Sequence, residues 1–286
     1  MFSYSCFFYN LIYLKTPFIF RLVLIVLTLF AGQLSLAQIS VVSWNLQNLG
    51  QSKSPETLEQ IANFVRDYDI VAIQEVVAGY GGTQAVAALS DILNRKGARW
   101  MYVVSDPTQS SAYKTERYAY FWKPSKVQLV NKPFLEKFYA LEIDREPFFA
   151  DFKYNGKIFT LVNFHAITKK MQPETEIKYF KFLPDLYPTK NLIFLGDFNC
   201  PETHSVFNPL KKMGYRSAFQ NQKTTLRQNC FNDDCLASEF DNFFYKNDKI
   251  RFIKAEVIHF YKKYEDVKLA RKLSDHIPIL MIFDLL

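Results

Sequence analysis

Histidine is scarce in this chain: there are four among 286 residues, at positions 165, 204, 259 and 276, so any acid/base work by imidazole falls on very few side chains. Cysteine is equally scarce, also four, and no two stand in the CxxC spacing that structural zinc favours, which argues against a zinc-built fold. Beyond Gln38 there is no low-complexity linker, no repeat and no break in composition, so one domain is expected over residues 38–286. A hydrophobic content of 49% is enough for a substantial core and excludes disorder as an overall description.

The segment ahead of Gln38 is different in kind. Lys15 and Arg21 precede an apolar run, Leu22 to Ala31, that is shorter than the roughly 20 residues of a membrane span. Ser35 and Ala37 satisfy the small-residue rule for cleavage, so residues 1–37 read as a secretory signal peptide cut after Ala37; an uncleaved N-terminal anchor is the alternative. The expected location is the periplasm or the medium, with no stable membrane association after cleavage. Cleavage removes two positive charges and no acid, taking the formal net charge from +7 to +5, and a basic exported protein attracts polyanions. It also removes Cys6 and leaves Cys200, Cys230 and Cys235 in a compartment that permits a disulfide. Proximity favours Cys230 with Cys235, stapling the polar loop FNDD, while pairing of Cys200 with either stays open.

The remaining chain alternates strands with helices. ISVVSWN reads as an apolar strand and PETLEQIANFVRDY as an amphipathic helix opened by Ser54 before Pro55. DIVAIQEV is a β-branched strand, and TQAVAALSDILNRKG is a helix closed by Gly97. RWMYVVS, RYAYFWK and KVQLVN follow as strands, and FFADFKYNGKIFTLVNFHA as a hairpin turning at Asn155-Gly156. PETEIKYFKFLPDLY reads as one helix, NLIFLGDF as a buried strand, and SVFNPLKKMGY as a short helix ended by Gly214. FDNFFY, IRFIKAEVIH and IPILMIFDLL supply the final strands. So many strands with interspersed helices favour an α/β fold of two packed sheets with helices outside over one doubly wound parallel sheet.

Polar side chains collect where these strands end, the places at which a rigid scaffold offers groups to a cleft. Asn45 follows ISVVSW, Glu75 ends DIVAIQ, Asp197 and Asn199 end LIFLG, Asp241 opens FFY, and Asp275 and His276 precede IPILMIF. An isolated carboxylate beside buried strands is costly unless it is paired or metal-bound. Asn45, Glu75 and Asp275 supply the hard oxygens that Mg²⁺ takes together with water and substrate phosphate; a capping or turn role is the plainer alternative for each taken singly. His165 and His276 each have acids in other strands, and an acid accepting from one ring nitrogen fixes the tautomer that the other nitrogen presents. His204, in PETHS, reads as a cap for the helix after it, and His259, in VIHFYKKY, as a surface or strand residue.

In order, SWNLQNLG, DIVAIQEV, TERYAYFW, DREPFF, VNFHA, FLGDFN, FDNFFY and SDHIPI resemble the signature blocks of the endonuclease/exonuclease/phosphatase superfamily, from about Ile39 to the C-terminus. IQEV, the ERY and REP blocks and the FHA histidine together are most similar to the deoxyribonuclease I branch and its secreted bacterial members. The resemblance implies a four-layer sandwich, two mixed sheets face to face between helices, with the cleft at one edge. Carried over by motif, Glu75 binds the metal with help from Asn45 and Asp275, and Asn45 also faces the substrate. Glu116 orients His165 and Asp241 orients His276. Asp197 and Asn199 position the attacking water and the phosphate, and Arg145 holds a phosphate oxygen. Tyr113 takes the place of a tyrosine that enters the DNA minor groove, with an ordinary loop tyrosine as the alternative; Thr115 reads as an insertion beside it. The chain departs from the pattern at Gln47 and Val77, which replace two arginines that contact DNA.

The implied activity is metal-dependent hydrolysis of DNA phosphodiesters to 5′-phosphate ends, with RNA as a further substrate. Mg²⁺ is the expected cofactor, Mn²⁺ a substitute and Ca²⁺ a structural or supporting ion, in a protein expected to act as a monomer. A phosphodiester needs a base to activate water and an acid to protonate the leaving 3′ oxygen, and His165 and His276 can divide those roles in either order. Two other readings keep the fold: a phosphatase or sphingomyelinase-like phosphodiesterase, and a non-catalytic binding module.

Overall fold

Strands such as IVAIQEVV and LIFLGD are apolar on consecutive residues because both of their faces are covered. The computed structural model describes residues 38–110, 114–232 and 234–286. Residues 38–286 form one compact unit, and the expected signal peptide lies outside the described residues. The strands are β1 (Ile39–Leu49), β2 (Ile70–Val77), β3 (Met101–Val104), β4 (Glu116–Trp122), β5 (Gln128–Leu135), β6 (Phe148–Tyr154), β7 (Lys157–His165), β8 (Leu192–Asp197), β9 (Tyr215–Ser217), β10 (Leu226–Phe231), β11 (Asp234–Leu236), β12 (Asp241–Lys246), β13 (Ile250–Val257) and β14 (Ile279–Leu285). They build two six-stranded sheets, ordered β13-β14-β1-β2-β4-β3 and β5-β6-β7-β8-β12-β9, and a separate β10–β11 hairpin. The pairs β1–β2 and β7–β8 are parallel and their neighbours antiparallel, so both sheets are mixed.

Alternation along each strand sorts side chains between layers. Ile279, Met281 and Phe283 of β14 join Val41, Ala72, Phe159, Leu161, Ile193 and Phe243 in a core contributed by both sheets. The intervening Val42, Val71 and Leu280 face a second core with two helices, α1 (Pro55–Val65) and α2 (Gly82–Asn94). On the far side Val162, Phe164 and Phe194 pack with Phe180, Leu183 and Phe207. The result is the expected order of helix, sheet, sheet, helix. Ser54 caps α1 as expected, its side chain accepting the Thr57 N–H, and Leu58, Ile61, Ala62 and Val65 form the buried stripe.

The segment read as one helix over residues 173–187 is instead broken: helix Glu174–Ile177, a 3₁₀ turn Lys178–Phe182, then helix Leu183–Leu186. Its inward side chains, Ile177, Phe180, Leu183 and the partly buried Leu186, recur every third residue, which suits the three-residue turn of a 3₁₀ helix better than 3.6. Pro184 adds to the break, since it has no N–H for a carbonyl four residues back. The disulfide joins Cys230 and Cys235, with Cys200 free and buried, and what it closes is a two-stranded hairpin rather than a loop. His204 caps the 3₁₀ turn Ser205–Phe207 through Nδ1, which accepts from Val206 N–H, and His259 stands just past β13. No helix among the described residues is long and apolar enough to cross a membrane.

Candidate active site

Strand register brings the polar ends together. His165 is the register partner of Asp197, Asp197 of Asp241, and Val77 of Glu116, so neighbouring strands deliver these residues to one edge of the two sheets. A bridge from Thr225 to His276 brings the last of them in. The glycine of GDFN has a physical cause here. Gly196 has φ +133°, and a Cβ on it would meet the Phe164 carbonyl oxygen at 1.9 Å, so only glycine lets β8 approach β7 this closely beside His165 and Asp197.

The backbone is strained where it aims side chains inward. Gln47, Asn48, Glu75 and Asn199 all have positive φ, between 41° and 59°, although none is glycine. Pairing of β2 with β4 breaks register between Ile73 and Val76, and this bulge turns Glu75 into the cleft. The cleft, about 560 Å³, is lined by Glu75, Glu116, Arg145, His165, Asp197, Asn199, Asp275 and His276, together with Asn48, Val77, Lys114 and Arg271. Asn45 and Asp241 are buried behind these residues, and Tyr113 lies outside the described residues.

Two acid–imidazole couples face each other. His165 Nδ1 lies 3.0 and 2.9 Å from the two carboxylate oxygens of Glu116, and His276 Nδ1 lies 2.8 Å from Asp241 Oδ2. The other ring nitrogen of each, Nε2, is 3.5 Å from the same atom, Asp197 Oδ2. Burial pushes the His165 imidazolium down, but the charges of Glu116 and Asp197 outweigh it and its pKa lies above the ordinary value. For His276 burial is likewise overcome, by Asp241 and Asp197, and the rise is larger. Burial alone would raise the Asp197 pKa, yet the two imidazoles and the Asn199 N–H at 2.9 Å hold it below the usual carboxylate range.

Arg145 is buried and directs three of its guanidinium N–H groups at the protein: Nε donates to His165 O at 3.0 Å, one terminal nitrogen to Ala166 O at 2.5 Å and the other to Glu116 Oε2 at 3.3 Å. A guanidinium has five N–H donors, so two remain for a substrate oxygen. Its larger visible engagement is with the Glu116–His165 couple.

The candidate metal ligands are hard oxygens, suited to Mg²⁺. Glu75 receives the Asn48 N–H at 3.1 Å and the Asn45 amide N–H at 2.9 Å. That Asn45 nitrogen is also 3.2 Å from Asp197 Oδ2, while its oxygen accepts from Gln47 N–H at 2.9 Å. In this orientation the amide presents N–H groups, not oxygen, to Glu75 and Asp197, so the oxygens open to a cation are those of the carboxylates. Asp275 lines the same cleft, 3.5 Å from Arg271. Asp197, Asp241 and His276 also place one ligand atom each within 4.8 Å of one another, but His276 Nδ1 and Asp241 are already joined by their hydrogen bond, which suits proton handling better than a cation. Glu75 and Asp275 thus offer the cleft hard carboxylate oxygens of the kind Mg²⁺ takes, while Asn45, expected as a further ligand, instead donates its N–H to Glu75.

Several supporting residues carried no signal as such in the sequence. Thr224 donates to Asp241 Oδ2 at 2.6 Å from a polar stretch with no strand-end pattern. Buried Lys53 donates to the carbonyls of Lys272 and Leu273, just ahead of Asp275, and burial pulls its pKa down to about 8 despite Glu75 and Asp275. Ser274 accepts the His276 N–H and donates to Asn45 O, and Trp44 donates to His276 O; both lie inside quoted motifs and could have been singled out there.

Known proteins resemble this chain to different extents. A protein named deoxyribonuclease from Thioalkalivibrio sp. (strain K90mix) is 27% identical over 287 residues, covering 93% of this chain and 75% of its own length. Deoxyribonuclease-1 of Bos taurus is 31% identical over 182 residues, 59% of this chain and 64% of the bovine one. The crystal structure of an endonuclease/exonuclease/phosphatase family protein from Bacteroides thetaiotaomicron has the same fold, with a TM-score of 0.62 at 19% identity over 86% of this chain and 97% of that one. The model of the Endonuclease/Exonuclease/phosphatase family matches residues 42–276, from β1 through both imidazoles, and the chain belongs to that family.

Proposed function

We propose that the chain is an exported, divalent-metal-dependent endonuclease that hydrolyses DNA phosphodiesters to 5′-phosphate ends. The observation that carries this reading is the convergence of two carboxylate-held imidazoles on one point, with both Nε2 atoms 3.5 Å from Asp197 Oδ2. Hydrolysis of a diester needs a proton taken from water and a proton given to the leaving oxygen, and two fixed imidazoles on one cleft can do both. Glu116 and Asp241 fix the Nδ1–H tautomers and stabilise whichever ring is charged. A divalent cation held by Glu75 and Asp275, with Asn45 bracing Glu75, would supply positive charge to the non-bridging phosphate oxygens. Asp197 and Asn199 orient water and phosphate, and the two remaining Arg145 donors meet a phosphate oxygen.

DNA as the substrate is supported by the relatives named deoxyribonuclease and by the basic balance of the chain. Export is supported by the leading segment and by the Cys230–Cys235 disulfide, a bond suited to an oxidising compartment. The test is a panel in Mg²⁺: supercoiled plasmid, single-stranded RNA, p-nitrophenyl phosphate and sphingomyelin vesicles. Plasmid nicking that leaves ligatable 5′-phosphates is the expected result. Turnover of the monoester or of sphingomyelin with intact plasmid would overturn the reading.

A further inference from the structure

Glu176 is a carboxylate buried to 2% exposure outside the acid/base machinery, and burial raises its pKa to about 6 even though two backbone N–H groups lower it. Such burial is costly without compensating bonds. Here the bonds go to two different loops. Oε1 accepts the Ile167 N–H at 2.6 Å, two residues after His165, and Oε2 accepts the Asp144 N–H at 3.0 Å, one residue before Arg145. Arg145 joins the same two loops in the other direction, through His165 O and Ala166 O, and reaches Glu116 as well. The contacts close a ring that runs from Glu176 through Asp144, Arg145, the 165–167 segment and back.

We propose that Glu176 is a positioning residue for the catalytic couple: it clamps the Arg145 loop to the His165 loop, so that Arg145 holds Glu116 and His165 in register with the cleft. This rests on the reading in which His165 acts on a phosphodiester. Glutamine at 176 has nearly the same shape but only one acceptor; its NH₂ would face a backbone N–H, so one side of the clamp opens. Alanine opens both.

The test compares wild type, Glu176→Gln and Glu176→Ala on plasmid DNA and on bis(p-nitrophenyl) phosphate in Mg²⁺, with amide hydrogen exchange on the same proteins. In Glu176→Gln, kcat falls about tenfold with KM changed by less than about twofold, the mark of misplaced reacting groups. Exchange protection at Ile167 or Asp144 is lost while the amides of β8 stay protected. Wild-type kcat in Glu176→Gln overturns the proposal, and so does a loss of protection throughout β8, which would make Glu176 a support of the fold alone. A wild type inert on plasmid but active on bis(p-nitrophenyl) phosphate overturns the DNA reading and leaves the clamp to be judged on that diester.

Discussion

Asp197 Oδ2 lies 3.5 Å from Nε2 of His276, and the same oxygen lies 3.5 Å from Nε2 of His165. One buried anion thus adds to the raised pKa of both imidazoles, after Glu116 for His165 and Asp241 for His276. Asp197→Asn keeps the shape and removes the charge, so the pKa values of His165 and His276 should fall together. A histidine NMR titration of the metal-free protein reads this directly, since only four histidines need assignment. Unchanged titration of His165 and His276 would break the link.

Glu75 reaches the cleft only because its strand bulges at a positive φ. If its carboxylate holds the cation, Glu75→Gln should raise the Mg²⁺ concentration for half-maximal activity by about tenfold or more, the scale seen when a metal site loses a supporting partner. A magnesium titration of both proteins is the check. The same midpoint in both would remove Glu75 from the ligand set.

Stability of the metal-free protein should depend on pH with a definite sign. His165 and His276 have folded pKa values above 6.5, so their contribution is fully present below about pH 6.5 and is lost as pH rises through the raised values. Lys53 acts in the opposite sense, because the cost of burying its charge is relieved only above about pH 8. Melting temperature in chelator should therefore fall between about pH 6.5 and 8. A rise across that window would mean that the imidazoles are not held as charged partners of Asp197 and Asp241.

Val77 lines the cleft, at a position where the motif resemblance implies an arginine. Val77→Arg should tighten binding of duplex DNA and steepen its salt dependence by about one unit of log–log slope, the value for one added phosphate contact. Fluorescence anisotropy of a labelled duplex over a range of NaCl measures it. An unchanged slope would indicate that the duplex does not pass over Val77.

Much of this was legible in the residues, and the exceptions have causes. The strands were readable because Ile279, Met281 and Phe283 alternate with Leu280 and Ile282 between two apolar layers. The pairs Glu116–His165 and Asp241–His276, which are hydrogen-bonded, were implied by the family resemblance of the motif blocks. The break at residues 178–182 was hidden because an apolar residue at every third position also fits one edge of an α-helix. Positive φ at Glu75 leaves no trace in composition, since the bulge is imposed by pairing with β4. The double use of Glu176 could not be read from sequence either, because its partners are backbone amides that any residue carries.

If two imidazoles share acid/base catalysis on a DNA diester, each is needed for the rate. The initial rate of plasmid nicking by wild type, His165→Ala and His276→Ala, in Mg²⁺ and in excess chelator, measures this. Wild type should nick in Mg²⁺ and fall silent in chelator, and each alanine variant should lose about a hundredfold or more in rate, the scale of general acid/base groups. Nicking by either variant at the wild-type rate, or undiminished nicking in chelator, would contradict it.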